Sequence, residues 1–272
     1  MTGWRERPAP AKINLALVVG PLRADGKHEV VTLLQRITLA DTIAVRRAES
    51  THVSGFAEDT IVRAALEAVS SAAGGGTRFE ARIEKRIPVA AGLGGGSSDA
   101  AAALLLANEL LDERLTREAL HRIAASLGSD VPFFLEDGAH LAIGDGTTLE
   151  HLELPLDYEI VLALPNGAAK ESTAAVYASF DARAGEQGFV ARHAALRNAL
   201  DRVATAADIG GLPANDLASS PLACELRDLG AFRADVTGAG PVVYGLFSTA
   251  AAAEEAAAAL DGRAGVWTAQ PC

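Results

Sequence analysis

The sequence predicts an α+β fold, and three observations carry that expectation. Strand-like and helix-like stretches follow one another in mixed order, not as a regular βαβα series. No internal repeat organises them. The 272 residues are 49% hydrophobic and 22% charged, enough apolar chain for one large core or two modest ones.

Ala11–Gly20 reads as a strand with Ile13, Leu15 and Leu17 on one face and Lys12 and Asn14 on the other. Asp25-Gly26 marks a turn, so Arg23–Glu29 is a loop. Val30–Leu39 and Thr42–Arg47 read as two further strands. Asp59–Ala73 has helical spacing through Ile61, Ala64, Ala65, Ala68 and Val69, and stops at Gly74-Gly75-Gly76. Thr77–Ile87 alternates Phe79, Ala81 and Ile83 with charged residues, a strand with one wet face that Pro88 ends.

Next comes a glycine-rich stretch: Pro88, Val89, Ala90, Ala91, Gly92, Leu93, Gly94, Gly95, Gly96, Ser97 and Ser98. Ala100–Leu111 is the expected helix, with Ser97 or Ser98 as its N-cap. A turn of free N–H groups feeding a helix N-terminus is an anion site, typically for phosphate. The plain alternative is a serine-capped surface loop. The stretch lacks the terminal Lys-Ser/Thr of the Walker loop, and Ser97 stands where the dinucleotide fingerprint needs its last glycine or alanine.

Thr116 caps a helix to Leu127, with Leu120, Ile123, Ala124 and Leu127 on the buried face, and Gly128 stops it. Ser129-Asp130-Val131-Pro132 looks like a new helix start, and His140–Gly146 like a strand and turn. A composition break lies near Leu154-Pro155. Beyond it, Tyr158–Leu164 reads as a buried strand, and Ser172–Phe180 and Val190–Ala204 as helices around a polar loop at 181–188. Pro213–Leu217 is a loop, with Asn215-Asp216 as a simple turn, before a helix over Pro221–Leu229. Ala234–Gly240 is a second glycine turn, followed by a strand over Val242–Phe247. Thr249 caps an alanine-rich helix to Leu260, and Ala264–Thr268 is a last strand.

A phosphate cradle without its own lysine takes positive charge from elsewhere. Lys12 is the candidate, since it interrupts an apolar strand; its alternative is an edge lysine whose stem reaches out to water. Asp130 is the candidate carboxylate, able to orient an alcohol and accept its proton late; its alternative is a helix N-cap. Gly238 and Gly240 could admit a ligand to the backbone or simply form a turn, and His28 could bond a polar ligand or lie solvated in its loop. Asp99 is a candidate metal contact, although a carboxylate in a helix first turn is commonplace.

A net charge of −11 argues against nonspecific nucleic-acid binding. The two cysteines, Cys224 and Cys272, have no metal-ligand spacing and fit a reducing compartment. Met1–Pro8 has no apolar signal core, and no apolar run reaches the ~18 residues of a membrane span. A cytoplasmic protein is expected.

Pro10–Leu15, Pro88–Ser98 and Asp235–Gly240 line up in one order and together resemble the three motifs of the GHMP small-molecule kinases. Arg23-x-Asp25-Gly26-x-His28-Glu29 and Gly128–Phe134 resemble one branch of them. That branch phosphorylates the 2-hydroxyl of a cytidine-diphosphate-linked methylerythritol, in non-mevalonate isoprenoid synthesis. The resemblance implies an N-terminal domain like ribosomal protein S5 domain 2 over residues 1–153, a ferredoxin-like domain over 154–272, and an active site between them. It implies Lys12 and Asp130 as catalytic residues, Pro88–Ser98 as the ATP-phosphate loop, and Asn14 on the methylerythritol hydroxyls. His28 falls on the cytosine edge, Thr173 and Tyr177 on the cytidine pocket, and Gly238 and Gly240 on the third motif. ATP with Mg²⁺ is the implied co-substrate. A small molecule is the expected partner, with no nucleic acid or membrane, for a monomer or weak homodimer.

Two positions depart from the family pattern. Lys27 stands where an aromatic residue usually stacks on cytosine, a contact worth roughly 1–3 kcal/mol. Asp59-Thr60 stands where the adenine-side motif often has Asn. Two other readings are a GHMP kinase for homoserine or mevalonate, and a non-catalytic nucleotide- or RNA-binding protein on an S5-like scaffold. Lys27 favours the first of these, and the presence of both Lys12 and Asp130 opposes the second.

Overall fold

The structure, a computed structural model, describes residues 3–59, 61–168 and 172–272. It is α+β, and its contacts divide it into two compact units, neither continuous in sequence. The first comprises the chain up to Ala11, Ala40–Val89 and Gly94–Asp137; the second comprises Lys12–Leu39, Ala90–Leu93 and Gly138–Cys272. Strands β1 (Arg5–Leu22) and β2 (His28–Ala48) contribute to both, and β1 pairs with β2.

In the first unit, β3 (His52–Ser54) precedes helix α1 (Ile61–Ala72) and strand β4 (Arg78–Glu84). β4 pairs in parallel with β3 and antiparallel with Thr42–Ala48 of β2. Phe79, Ala81 and Ile83 are buried, as their alternation predicts. Helices α2 (Gly95–Glu109) and α3 (Arg117–Leu127) complete the unit, with a 3₁₀ turn at Pro132–Leu135. α2 buries Ala100–Leu104, Leu106 and Ala107, so it is covered on most sides; this explains an alanine-rich helix with little amphipathic bias. Thr116 caps α3 by accepting from the Ala119 N–H.

In the second unit, Val30–Gln35 of β2 pairs antiparallel with β5 (Ala139–Gly144), and β5 with β6 (Thr148–Leu152). After the composition break come β7 (Glu159–Pro165), α4 (Thr173–Ala182), α5 (Phe189–Leu200) and α6 (Pro221–Asp228). Strands β8 (Arg233–Val236) and β9 (Val243–Phe247), helix α7 (Ala250–Leu260) and β10 (Ala264–Ala269) follow. They form an antiparallel sheet of order β10-β7-β9-β8. Val161, Ala163, Val243 and Phe247 bury one face of it with Leu226 of α6 and Ala253, Ala256 and Leu260 of α7. Ser172 and Thr249 cap α4 and α7.

Several elements differ from their sequence expectation. The second and third expected strands are one 21-residue strand, β2. Asp41 marks the expected break, yet it is fully buried there and accepts from Lys85 Nζ and from the Arg86 and Ile87 N–H groups. α2 begins at Gly95 after a left-handed Gly94, and neither Ser97 nor Ser98 caps it; both lie inside its first turn. The expected helix after Gly128 is only the 3₁₀ turn, and its N-cap is Val131, so Asp130 is not a cap. β3, β6 and a 3₁₀ turn at Ala206–Gly211 had no expectation, because they are short and lack clear periodicity.

Candidate functional site

The first unit holds the helix end of the glycine stretch. The α2 N-terminus, from Gly94 onward, presents its first-turn N–H groups, a feature that suits an anion. A positive charge that sequence reading overlooked stands beside it. A Cβ on Gly95 would lie 3.4 Å from Lys85 Nζ, although Lys85 precedes Gly95 by ten residues. Lys85 Nζ donates to Asp41 Oδ2 and, at 2.7 Å, to Asp99 Oδ2. Its ammonium also lies 5.7 Å from the Phe56 ring centre.

Two carboxylates share that one ammonium, and they are not equal. Asp41 also accepts two backbone N–H groups, at 2.6 Å from Arg86 and 2.8 Å from Ile87. Asp99 Oδ1 is buried without a hydrogen-bond partner among the described residues. Burial, together with the negative charge of Asp41, pushes the Asp99 carboxyl up to about 7 against the pull of Lys85. Lys85 itself is raised: the two carboxylates outweigh its burial. Asp99 is therefore the group of the cluster that holds a proton into the neutral range. Ser98 Oγ is the other buried, unpartnered polar atom near the start of α2. Hard oxygen donors of this kind suit a cation such as Mg²⁺ better than a soft metal. Among the described residues, no group of three or more His, Cys, Asp or Glu could hold a metal ion.

Asp130 belongs to the same unit, half-buried between α3 and the 3₁₀ turn. Asp59 caps α1 by accepting from the Val62 and Arg63 N–H groups. Thr60, its neighbour in the expected adenine-side motif, lies outside the described residues.

The second unit gathers Lys12, Asn14, Ala90–Leu93 and the second glycine turn. Lys12 is 3% exposed, which excludes an edge lysine reaching for water. Its Nζ donates to Asn14 Oδ1 at 2.6 Å, and its backbone N–H donates to Leu93 O at 2.9 Å. Thr237 Oγ1 accepts from the Asn14 N–H and lies 3.1 Å from Asn14 Oδ1 and 3.2 Å from Gly92 O, acceptors for its one proton. Asn14 Nδ2 donates to Thr32 Oγ1 at 2.8 Å. Gly238, in left-handed backbone, lies against this group: its Cβ would stand 3.5 Å from Lys12 Nζ and 3.3 Å from Gly92 O. A Cβ on Gly240 would meet Val236 at 3.2 Å, and its N–H closes the turn on Thr237 O. Ala90 holds φ 63 without being glycine, a strain typical of functional loops.

Asn215 is more than a turn residue. Its Nδ2 donates to Val236 O and Gly238 O, fixing the second glycine turn. Asp216 accepts from the Val19 N–H and pairs with Arg192.

A further group in this unit surrounds His28. His28 is buried rather than solvated, with Nδ1 2.8 Å from Gly20 O and Nε2 3.4 Å from Asp181 Oδ1. A carbonyl can only accept, so Nδ1 carries a proton. Tyr177 stacks on the imidazole at 5.0 Å, and Phe180 meets it edge-on at 5.8 Å. Thr173 lies exposed one helical turn before Tyr177. Lys27 Nζ is 2.9 Å from Asp145 Oδ2. Burial opposes ionisation of Asp145, but the Thr147 hydroxyl and N–H and the Lys27 ammonium outweigh it, holding the carboxyl at about 2.

Two family matches fall on the two halves of the chain. Residues 60–138 match the GHMP kinases N-terminal domain, and residues 222–266 the GHMP kinases C-terminal domain. A 4-diphosphocytidyl-2-C-methyl-D-erythritol kinase of Gloeobacter violaceus is 38% identical, over 95% of this chain and 90% of its own. A solved 4-(cytidine 5'-diphospho)-2C-methyl-D-erythritol kinase superposes with a TM-score of 0.79 at 32% identity, covering 98% of this chain and 99% of that one. A solved homoserine kinase from Cytophaga hutchinsonii reaches a TM-score of 0.63 at 17% identity, over 100% of this chain and 95% of that one, a likeness of fold alone.

Proposed function

The chain belongs to the 4-diphosphocytidyl-2-C-methyl-D-erythritol kinases of the GHMP superfamily, and from that premise we propose how its residues do the work. It is an ATP-dependent small-molecule kinase. The reaction transfers the γ-phosphoryl group of ATP to the 2-hydroxyl of 4-diphosphocytidyl-2-C-methyl-D-erythritol, a step of non-mevalonate isoprenoid synthesis.

The observation that carries the site assignment is the buried pair Lys12 Nζ–Asn14 Oδ1 at 2.6 Å, against Gly238 and the Gly92 carbonyl. A buried ammonium that a neutral amide oxygen helps to hold in place is a fixed positive charge of the kind that a transferring phosphoryl group needs. Phosphoryl transfer has a loose transition state, so positioning and charge stabilisation do most of the catalysis. Lys12 stabilises charge developing on the transferring group. Asp130 orients the substrate hydroxyl and accepts its proton late. Asn14 contacts the methylerythritol hydroxyls, and the first-turn N–H groups of α2, with Pro88–Ser98, cradle the ATP phosphates. His28, Thr173 and Tyr177 receive the cytidine, with Tyr177 as the ring near the position that Lys27 leaves without one. Mg²⁺ bound with ATP neutralises phosphate charge, and the unpartnered Ser98 and Asp99 oxygens are the residues that would hold it. Residues 1–153 and 154–272 are the proposed domains of a cytoplasmic monomer or weak homodimer that binds no nucleic acid.

ADP release from Mg-ATP, measured with a panel of alcohols, tests the substrate. Turnover is expected with 4-diphosphocytidyl-2-C-methyl-D-erythritol; turnover with homoserine or mevalonate in its place overturns the reading. Asp130→Asn is expected to keep ATP binding and lose about 10²–10⁴-fold in kcat. Near-parental turnover removes Asp130 from the mechanism.

A further inference from the structure

Thr32 lies on β2, two bonds from the charge that the reaction uses. The residue is 6% exposed, and its hydroxyl touches two groups of opposite character. Thr32 Oγ1 donates to Ala16 O at 2.8 Å and accepts from Asn14 Nδ2 at 2.8 Å. A hydroxyl has one proton and two lone pairs. With the proton spent on the Ala16 carbonyl, Oγ1 turns only lone pairs to Asn14, and must meet the NH₂ end of that amide.

The other end of the amide is then decided. Asn14 Oδ1 faces Lys12 Nζ at 2.6 Å and Thr237 Oγ1 at 3.1 Å. An amide rotated by half a turn would set two N–H donors against an ammonium, which is a donor only. It would also leave a carbonyl oxygen facing the spent Thr32 hydroxyl. All these groups are buried, with Asn14 5% and Thr237 0% exposed, so water does not readily make good a wrong orientation.

We propose that Thr32 is a positioning residue: its hydroxyl locks the Asn14 amide with the oxygen toward Lys12, and so fixes where the Lys12 ammonium stands. Thr32 acts through Asn14. The inference rests on the reading of Lys12 as the charge-stabilising group. Without the lock the amide rotates or withdraws, Lys12 loses its short acceptor, and the ammonium drifts from the transferring group. A misplacement of ~1 Å at a reacting centre costs on the order of 10²-fold.

The test is steady-state kinetics on Thr32→Ser, Thr32→Cys and Thr32→Val, with thermal melts to show that each folds. Thr32→Val is expected to lower kcat about 10- to 100-fold with KM for ATP near the parental value. Thr32→Ser is expected to restore kcat, and Thr32→Cys, a poorer acceptor, to fall between. In an Asn14→Ala background, Thr32→Val is expected to add no further loss. If Thr32→Val does not fold, the Ser and Cys variants alone decide by their order. Parental kcat in Thr32→Val, a Ser variant as impaired as the Val variant, or an undiminished loss in the Asn14→Ala background overturns the proposal. Lys12→Ala separates it from its premise. A Lys12→Ala enzyme at parental rate overturns the reading of Lys12 itself; an inactive one beside an unimpaired Thr32→Val overturns only the lock.

Discussion

Gly92 is tolerated at its position for a reason that can be measured. It has φ +84, and a Cβ there would lie 2.2 Å from Thr237 O, a backbone atom that cannot swing aside. Gly92→Ala is therefore expected to cost at least about 2 kcal/mol from backbone strain alone. It is also expected to lower kcat, because the displaced Thr237 bonds Asn14. Equilibrium unfolding and kcat measured together check this; an unchanged melting temperature refutes it. At this scale the sequence exposes some residues and hides others. Lys12 stands out because lysine is costly in an apolar strand. Thr32 and Thr237 do not, because threonine suits a strand whether or not its hydroxyl has a partner. Lys85 is hidden by its surroundings: in Glu84-Lys85-Arg86 it reads as one more solvated charge, and its carboxylate partners come from β2 and α2.

The Asp41–Lys85–Asp99 cluster ties three elements together: β2, the exit of β4 and α2 just past its first turn. Asp41 and Asp99 are unequal partners, and substitution should reveal the difference. Asp41→Asn removes the carboxylate that also accepts two backbone N–H groups, but Asp99 can then lose its proton to solvent and pair as a carboxylate with the Lys85 ammonium. The cost is expected at about 1–3 kcal/mol, below the ~3–5 kcal/mol of a buried pair broken outright. Asp99→Asn is expected to cost less, because Asp41 keeps Lys85 and its two N–H donors. Urea unfolding of both variants at neutral pH tests the ranking, and the reverse order refutes the assignment of charge. Element boundaries were hard to read for the same reason that this cluster was. Asp41 resembles a strand breaker until its buried partners are known. The glycines at 94–96 resemble loop, since glycine is a poor helix former, yet Gly95 and Gly96 open α2, whose buried packing outweighs propensity. Where pattern was strong and local, as in β4, α3 with its Thr116 cap, and α7 with its Thr249 cap, expectation and structure agree.

For the whole molecule, composition and element order were enough for the α+β class, and the three glycine- and lysine-bearing motifs for the family; the pairing of distant segments was not legible. Lys27 and Asp145 are 118 residues apart, and no local pattern announces their ion pair. That pair has a consequence for global stability that depends on pH. The Asp145 carboxyl sits at about 2 in the folded protein against an ordinary 3.8. A depressed folded value means that the unfolded chain binds a proton first as pH falls. The stabilisation is therefore complete above about pH 4 and is lost as pH drops through about 2. A shift of this size corresponds to about 2 kcal/mol, with Thr147 supplying part of it and the half-exposed Lys27 less than a buried cation would. Unfolding free energies of the parent and of Asp145→Asn, compared from pH 7 down to pH 2, should differ by an amount that shrinks steadily across the acid limb. A difference that stays constant with pH would show that Asp145 contributes only uncharged hydrogen bonds. Lys27→Met distinguishes the two sources: it is expected to remove the smaller, salt-sensitive part of the difference and to leave the Thr147 part in place.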